Sequence, residues 1–394
     1  MYKKNLVFLS ACTGMLLFGI TLITLGAVIP GLKEKFQLDE LSSGTLFSIL
    51  PFGILTGSLL FGPMCDKYGY KWLLTVSFLS LCAGFEGIAF VSTTGLLKTA
   101  VFLFGLSGGA INGAVNALVA DISGQDKSAN LSLLGVFFAA GALGMPFVLG
   151  VLKGHLSFEE IVAFVGLVAF LAGMLVWLLR FPPPKHVQGQ GSLARKSLGL
   201  LTDSLMLLIS LFLFFQSSLE AIIHNWATTY LMNRLAASER GALYALSLNV
   251  AGMACARLLS GSLFRYTPVK KILVSSLILM LAGSALLQVS SSFAMAVAAL
   301  VILGAGMAGG FPIMFALIAE RYKDISATAF SFALVIALVG NMLLNYGMGL
   351  IAHSYGIRHL TTMVWVEVVS MILIGGVILK RMSGMQGRHA AQLR

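Results

Sequence analysis

Charged side chains are scarce in this chain. Only 10% of its 394 residues are Asp, Glu, Lys or Arg, and the mean hydropathy is +0.93. Soluble proteins carry about 25% charged residues, so the composition excludes an ordinary soluble domain. Apolar runs of about 20 residues recur along nearly the whole length, and each is long enough to cross ~30 Å of hydrocarbon.

Cysteine and acidic residues are also few. The four cysteines lie inside or at the ends of apolar runs without a CxxC pair, so we expect buried small side chains and no disulfide or metal ligand. Asp and Glu number 15 against 26 Lys and Arg. This basic surplus needs no nucleic-acid partner, because the positions of the charges explain it.

Charge clusters and turn residues divide the chain into twelve predicted spans, which makes it an all-α membrane protein. The spans are roughly 5–30, 43–62, 72–92, 97–120, 130–152, 160–181, 204–231, 241–264, 271–290, 293–318, 326–350 and 360–380. The first is too long for a signal peptide and lacks a small-residue cleavage site. Of the 26 basic residues, 18 fall on one side. The positive-inside rule predicts a cell (inner) membrane protein with both termini cytoplasmic.

The two halves of the sequence repeat at an offset of 199 positions. The matching pairs are Gly62 and Gly261, Gly105 and Gly304, Ala117 and Ala316, and Gly141 and Gly340. We therefore predict two six-helix bundles, 1–181 and 204–381, with a cytoplasmic linker at 182–203 and a tail at 382–394. Many transporters are built from such repeats, with the solute site near the membrane midplane.

The segment "GPMCDKYGYKW" after span two resembles the signature G-x-x-x-D-[RK]-x-G-x-[RK] of the major facilitator superfamily. A random polar turn is the alternative. We expect Gly62 to allow close helix approach and Gly69 to allow a tight turn. Asp66, Lys67 and Lys71 are predicted to act in gating, with Asp66 latching one conformation. The resemblance covers the whole chain and implies two six-helix pseudo-repeats in the major facilitator fold.

The second half resembles a narrower branch, the fucose permease and cation-coupled glucose permeases. The resemblance lies in "SSLEAIIHNWATTYL", "NVAGMACARLLSG" and "GGFPIMFALIAE". It implies sugar transport by symport with a cation. The chain departs from this branch in its Ala256-Arg257 pair and in having no Asp or Glu inside spans one and four.

Polar side chains inside the spans are the candidate solute ligands. Gln216, Glu220 and His224 are spaced i, i+4, i+8 and form one stripe, and amides match sugar hydroxyls because both donate and accept hydrogen bonds. An aromatic side chain suits the C–H face of a sugar ring. Interhelical hydrogen bonding is the alternative role. The predicted substrate-binding residues are Glu220, Gln216, His224, Asn225, Trp226, Asn112, Asn116, Asn341 and Asn345.

Glu220 is also predicted to couple solute movement to protons. Helix-rise arithmetic places Arg257 ~10–15 Å from it in height, which predicts no ion pair. Arg257 is expected to act in gating or to snorkel, with a role as a solute ligand as the alternative. Glu86 and Glu367 are interpreted as structural or lipid-interface groups, with a coupling role as the alternative.

The predicted function is a secondary active transporter, monomeric and without a cofactor, whose partners are a sugar-like solute and the lipid bilayer. Protons are the expected coupling ion and sodium the alternative. An efflux antiporter for amphipathic compounds and a passive sugar uniporter stay open. "GLSGG" at 105–109 matches a serine-hydrolase pattern, but it lies inside a predicted helix rather than at a strand–turn–helix elbow, so we expect no enzyme.

Overall fold

The computed structural model describes residues 3–123, 127–182, 200, 202–263, 268–322 and 325–392. These residues form α-helices, one short 3₁₀ turn and one isolated bridge. The helices are α1 (Lys4–Phe36), α2 (Glu40–Phe90), α3 (Thr94–Ile122), α4 (Lys127–Leu152), α5 (Phe158–Leu178), α6 (Ser204–Leu235), α7 (Glu239–Leu263), α8 (Val269–Gln288), α9 (Phe293–Met307), α10 (Gly310–Arg321), α11 (Ser326–Tyr355) and α12 (Leu360–Gln392). The all-α prediction is confirmed.

Eleven segments of the described residues are long and apolar enough to cross a membrane, against twelve predicted spans. The difference lies in α2, whose 51 residues include both predicted spans two and three. At 1.5 Å per residue α2 is ~76 Å long, more than twice the hydrocarbon thickness. Its helix breaks at Gly69, where φ is 78° and ψ is 166°. Glycine adopts this conformation without strain, so the predicted turn at Gly69 is confirmed.

The two halves of the sequence make the same backbone contacts, which reveals the repeat in three dimensions. A Cβ on Gly105 would lie 2.3 Å from the Leu50 carbonyl oxygen, and a Cβ on Gly304 would lie 2.2 Å from that of Asn249. Each residue of the second contact lies 199 positions after its counterpart in the first. The repeated glycines thus allow one helix to pack directly on the backbone of another.

The chain forms two compact units that do not coincide with its two halves. Unit 1 comprises Met1–Val187, His224–Ser247 and Asn345–Ile357, and unit 2 comprises Gln188–Ile223, Leu248–Leu344 and Arg358–Arg394. The predicted linker lies almost entirely outside the described residues, which omit 183–199 and 201. Residues 264–267, which follow α7, are also outside them.

Two local expectations are wrong. A Cβ on Gly62 would meet no atom of the described residues within 4 Å, so this glycine makes no close contact with a helix that the structure describes. Cys255 is exposed and Cys82 half-buried, whereas Cys12 and Cys65 are buried as expected, and all four thiols are free. A small apolar thiol on the outer face of a membrane helix can contact lipid at little cost, so burial does not follow from hydropathy alone.

Asp39 caps the N-terminus of α2. Its Oδ1 accepts a hydrogen bond of 2.8 Å from the backbone N–H of Ser42. Hydrogen bonds from Ser42 lower the pKa of Asp39, and the charge of His353 adds a smaller effect in the same direction. Because this pKa is depressed, the stabilisation is complete above the unfolded-state value near ~3.9 and is lost only as pH falls through the folded-state pKa.

Replacement of Asp39 by Ala is expected to lower the free energy of unfolding by about 1 kcal/mol, the usual contribution of an N-cap side chain. Asp39→Asn retains the hydrogen-bond acceptor and should stay close to the wild type. Thermal unfolding of the purified chain at neutral pH measures both variants. Equal losses in Ala and Asn would mean that the charge, rather than the cap, is what stabilises this end of α2.

Candidate functional site

An ion pair between α6 and α7 lies at the centre of the candidate site in unit 2. The Oε1 atom of Glu220 is 3.7 Å from Nη2 of Arg257. The side chains are 17% and 33% exposed, respectively. Ionisable groups within membrane spans are costly and are usually paired or exposed to a watery cavity, which makes this pair a functional candidate.

The prediction that Glu220 and Arg257 lie too far apart for an ion pair is wrong. The prediction counts the depth of each side chain in the membrane from an estimated end of its span. In the structure α6 continues to Leu235 and α7 begins at Glu239. Counted from their shared connection, Glu220 lies ~22 Å back along α6 and Arg257 ~27 Å forward along α7. The difference of ~5 Å is within the reach of an Arg side chain.

Three polar atoms near this pair lack a hydrogen-bond partner among the described residues. They are Oε2 of Glu220, Nε of Arg257 and Oε1 of Gln216, and all three are buried. An unpaired buried polar group costs about 1–3 kcal/mol, so each of these atoms favours a further partner. Together they offer two acceptors and one donor, a set that suits hydroxyl groups.

Gln216 is positioned by the break between α9 and α10. Its Nε2 donates a 3.0 Å hydrogen bond to the Met307 carbonyl, which lies at the end of α9. A Cβ on Gly310 would lie 2.3 Å from Gln216 Oε1, so a glycine at this position makes room for the amide. Gln216 itself is fully buried. Its predicted role in solute binding stays a prediction.

In unit 1 the predicted ligands of α6 are engaged with other helices. Asn225 Nδ2 donates a 3.0 Å hydrogen bond to Asn345 Oδ1 of α11. Trp226 is fully buried and packs edge-on against Phe47 of α2, with ring centroids 5.1 Å apart. His224 is also buried. These contacts are those of a closed helix junction, and the solute-binding roles of the four predicted residues remain predictions.

Glycine residues allow the helix backbones to approach closely at this junction of α1 and α2 with α6 and α11. The Thr228 hydroxyl donates a 2.9 Å hydrogen bond to the Gly26 carbonyl of α1, and a Cβ on Gly26 would lie 2.1 Å from the His224 carbonyl oxygen. At a second point, a Cβ on Gly44 of α2 would lie 2.8 Å from Cα of Gly349. We call this junction the seam and define it by Gly26, Gly44, Asn225, Thr228, Asn345 and Gly349.

Charged groups at helix ends accompany the seam in unit 1. Lys153 forms an ion pair with Glu239 and accepts a hydrogen bond on its carbonyl from Arg240. Nδ1 of His353 is 3.4 Å from Oδ2 of Asp39, a pair that is charged on both sides only when the imidazole is protonated. All three contacts join the first half of the sequence to the second half.

The remaining predicted ligands lie on two other helices. Asn116 on α3 donates from Nδ2 to both the carbonyl and the Oδ1 of Asn112, at 2.9 and 3.0 Å. The two amides therefore lie on one helix face, and both are half-buried. Asn341 belongs to unit 2 and is half-buried on α11. None of these positions is tested as a solute contact.

The predicted gating residues lie around the Gly69 break. Asp66 and Lys67 are exposed, and Lys67 Nζ lies 5.0 Å from the centre of the Tyr68 ring. Lys71 Nζ lies 5.4 Å from the Trp177 ring, as expected for a cation at an aromatic belt. No ion pair joins Asp66 to another described residue, so its latch role is still a prediction.

Ser107 is a helix residue rather than a nucleophile. It is fully buried in α3, and its hydroxyl donates a 2.7 Å hydrogen bond to the Leu103 carbonyl one turn earlier. Gly105 and Gly109 of "GLSGG" approach the backbone of α2, and Gly108 packs against the Thr21 and Phe18 side chains of α1. The motif therefore serves helix packing, as the alternative interpretation predicts.

Sequence comparison places the chain among membrane transporters. The family model described as Major Facilitator Superfamily matches residues 9–343 and 221–386. The putative metabolite transport protein YncC of Bacillus subtilis is 29% identical over 39% of the chain and 33% of its own length. The sodium-dependent glucose transporter 1A of Mus musculus is 28% identical over 32% of the chain and 30% of its own length. The chain thus matches about a third of each of these two relatives.

A third relative is matched over most of its length. The 3-(3-hydroxy-phenyl)propionate transporter of Escherichia coli is 26% identical over 83% of the chain and 82% of its own length. Among solved structures, the nucleoside transporter NupG has a TM-score of 0.78 at 15% identity and covers 96% of this chain and 99% of its own. A D-xylose-proton symporter has a TM-score of 0.77 at 16% identity, with 95% and 97% covered.

These two structures show the fold, and the family model covers most of the sequence. The matched relatives are named transporters, which agrees with the repeated glycine contacts and the paired charges inside an apolar helix bundle. The chain is a multi-pass membrane transporter, not an enzyme, and it belongs to the Major Facilitator Superfamily.

Proposed function

We propose that this protein is a secondary active carrier of a small polyhydroxyl solute, a sugar or a close chemical relative. The observation that carries the proposal is the Glu220–Arg257 pair, with unpaired acceptors on Glu220 and Gln216 and an unpaired donor on Arg257. Sugar hydroxyls satisfy both kinds of atom at once. Relatives named as a glucose transporter and a solved D-xylose symporter support the same solute class.

Transport proceeds by alternating access, with the seam as the contact that must open and close in each cycle. The two arms of α2 each cross the membrane in this proposal, giving twelve crossings and a monomer with both termini in the cytoplasm of an inner-membrane protein. The predicted ligands Asn225 and Asn345, which belong to the seam, and Trp226, which packs against Phe47 beside it, become free to meet the solute when the seam opens.

Proton coupling takes place at Glu220. The ionised carboxylate pairs with Arg257, and a proton on Glu220 weakens that pair and frees the guanidinium. Solute and proton thus act on the same two side chains, so each changes the affinity for the other by the same factor. Asn112, Asn116, His224 and Asn341 line the solute path, while Asp66, Lys67 and Lys71 control one gate.

The test is uptake of a panel of labelled sugars into liposomes that contain the purified full chain, with and without an inward proton gradient. Counterflow without a gradient identifies the solute, and the gradient then measures coupling. Glu220→Gln is expected to lose gradient-driven accumulation, because an amide cannot exchange a proton. Glu34→Gln, which removes an exposed acid at the end of α1, is the matched control.

If the intact wild-type chain transported none of the sugars in the panel, the proposed solute class would be refuted. Binding of lipophilic cations by the same chain would then favour the efflux antiporter. Accumulation that follows sodium at fixed pH would move coupling to sodium, and counterflow without accumulation under any gradient would indicate a passive uniporter.

An aromatic carboxylate is the second candidate solute. The relative matched over most of its length is named a 3-(3-hydroxy-phenyl)propionate transporter, and Arg257 could bind a carboxylate through charge-assisted hydrogen bonds. Inclusion of hydroxyphenyl propionates in the panel separates the two candidates. Competition by these acids with no competition by sugars would decide for the second.

A further inference from the structure

Glu367 of α12 is a fully buried carboxyl that the solute site does not use. Its side chain is 0% exposed, which excludes the predicted lipid-interface position. The Ser218 hydroxyl of α6 donates a hydrogen bond to Oε1, and Oε2 has no hydrogen-bond partner among the described residues. Both residues belong to unit 2.

No basic side chain of the described residues forms an ion pair with Glu367. An ionised carboxylate without a counter-charge is very costly in an apolar interior, and such groups usually become neutral instead. A neutral carboxyl leaves at most one O–H group unpaired, which costs far less than an unpaired charge. The buried packing described here therefore favours the protonated form.

The other titratable groups on the packed elements are distant or engaged. On α6, Glu220 is two residues from Ser218, on nearly the opposite helix face, and it is paired with Arg257. On α8, Leu277 lies beside Gly375, which is about two turns after Glu367 on α12. The nearest basic residue of α8, Lys271, is six residues before Leu277, a further ~9 Å along the axis of α8. On α6, His224 lies six residues after Ser218, ~9 Å along the helix axis and on another face. The remaining titratable groups are at or near the ends of these helices, more than ~10 Å along the axis from Glu367 or Ser218. They are Asp203, Arg234, Lys270, Lys271, Arg358, His359, Lys380 and Arg381.

We propose that Glu367 is a second proton-binding site of the carrier, placed behind α6 and away from the solute. The proposal rests on the proposed carrier function and deepens it. With its proton bound, Glu367 accepts the Ser218 hydrogen bond and α6 packs on α12 without an unpaired charge. When α6 moves and water enters, the proton can leave, and the resulting charge opposes repacking.

The sign of the pH effect follows from this arrangement. The packed state binds the proton more tightly than the hydrated state, so acid favours the packed state and alkali favours the hydrated one. Because α6 also carries Gln216 and Glu220, protonation at Glu367 reaches the solute site through a single rigid helix. No residue of the solute site itself needs to change its charge.

Infrared spectroscopy of the full chain in lipid nanodiscs tests the site without any solute. A protonated carboxyl and a carboxylate absorb at different frequencies, so difference spectra between variants assign the signal. At neutral pH the wild type is expected to show a protonated carboxyl band that Glu367→Gln lacks and Glu220→Gln keeps. Identical spectra of the wild type and Glu367→Gln would overturn the proposal.

Ser218→Ala provides the second variant should Glu367→Gln fold poorly. Loss of the Ser218 hydrogen bond is expected to move the protonated carboxyl band to higher frequency without removing it. A band that does not move, or that titrates away like an exposed Glu, would refute a buried proton held at this place.

Solute exchange supplies the functional arm of the test. Wild-type counterflow is expected to slow at alkaline pH, and Glu367→Gln is expected to lose that slowing because its amide cannot ionise. Equal alkaline slowing in both chains would overturn the coupling of this site to transport. A chain that moves neither sugars, hydroxyphenyl propionates nor lipophilic cations yet keeps the infrared band would refute the carrier function while leaving the proton site established, so the two failures are distinguishable.

Discussion

Arg257→Gln is expected to weaken binding of the transported solute by about 10- to 100-fold. A hydrogen bond to a charged group contributes about 1.5–3 kcal/mol, and each 1.4 kcal/mol is a tenfold change in affinity. The glutamine still offers donors, but it carries no charge and leaves Glu220 without a counter-ion. The dissociation constant of the solute that the panel identifies, titrated into the purified chain, measures the effect.

Two further variants separate charge from geometry at this pair. Arg257→Lys keeps the charge and removes the planar fork of donors, so we expect an intermediate loss. Arg234→Gln removes an exposed arginine near the end of the same hairpin and is the matched control. If Arg257→Gln bound the solute as tightly as this control, the ion pair would be a purely structural contact between α6 and α7.

Gly26→Ala is expected to open the seam. The added methyl carbon would lie 2.1 Å from the His224 carbonyl oxygen, and a backbone atom cannot move aside as a flexible side chain can. Overpacking of this kind costs about 1–3 kcal/mol, enough to shift a two-state population roughly 5- to 150-fold. Spin labels at Gln37 and Ser354, both exposed in unit 1, should report a longer distance in this variant.

The α11 helix offers a matched pair for the same test. A Cβ on Gly349 would lie 2.9 Å from Cα of Gly44, whereas a Cβ on Gly347 would meet no atom within 4 Å in the part of the chain that the structure describes. We expect Gly349→Ala to lengthen the label distance and Gly347→Ala to leave it unchanged. Equal distances in both variants would show that glycine at the seam reflects helix flexibility rather than close packing.

The sequence predicts the repeat well because glycine marks backbone contacts. Gly105 and Gly304, chosen only for their common offset, make equivalent contacts in the structure. The same offset relates Gly53 to Gly252, whose Cβ positions would approach the carbonyl oxygens of Phe102 and Val301. The offset of 199 positions therefore also predicts this second pair of contacts.

The partners of the polar residues were harder to predict, because they depend on helix length and on which face meets which neighbour. Glu220 was expected to be unpaired since the extension of α6 beyond the membrane span is invisible in hydropathy. The sequence groups Asn225 and Trp226 with the solute ligands, but the structure packs Asn225 in the seam and Trp226 against Phe47. Glu367 is interpreted from the sequence as a structural or lipid-interface group, whereas in the structure it is buried and accepts a hydrogen bond from Ser218.

The use of glycine in the seam also bears on leakage. Backbone atoms in van der Waals contact leave no space for a continuous row of water molecules between the helices. A separation of a fraction of an ångström is enough to lose much of the attraction of such a contact. A junction of this type has no stable half-open form through which ions could trickle. In single-vesicle recordings the protein should therefore turn over in discrete solute-dependent steps, with no channel-like conductance in the resting state.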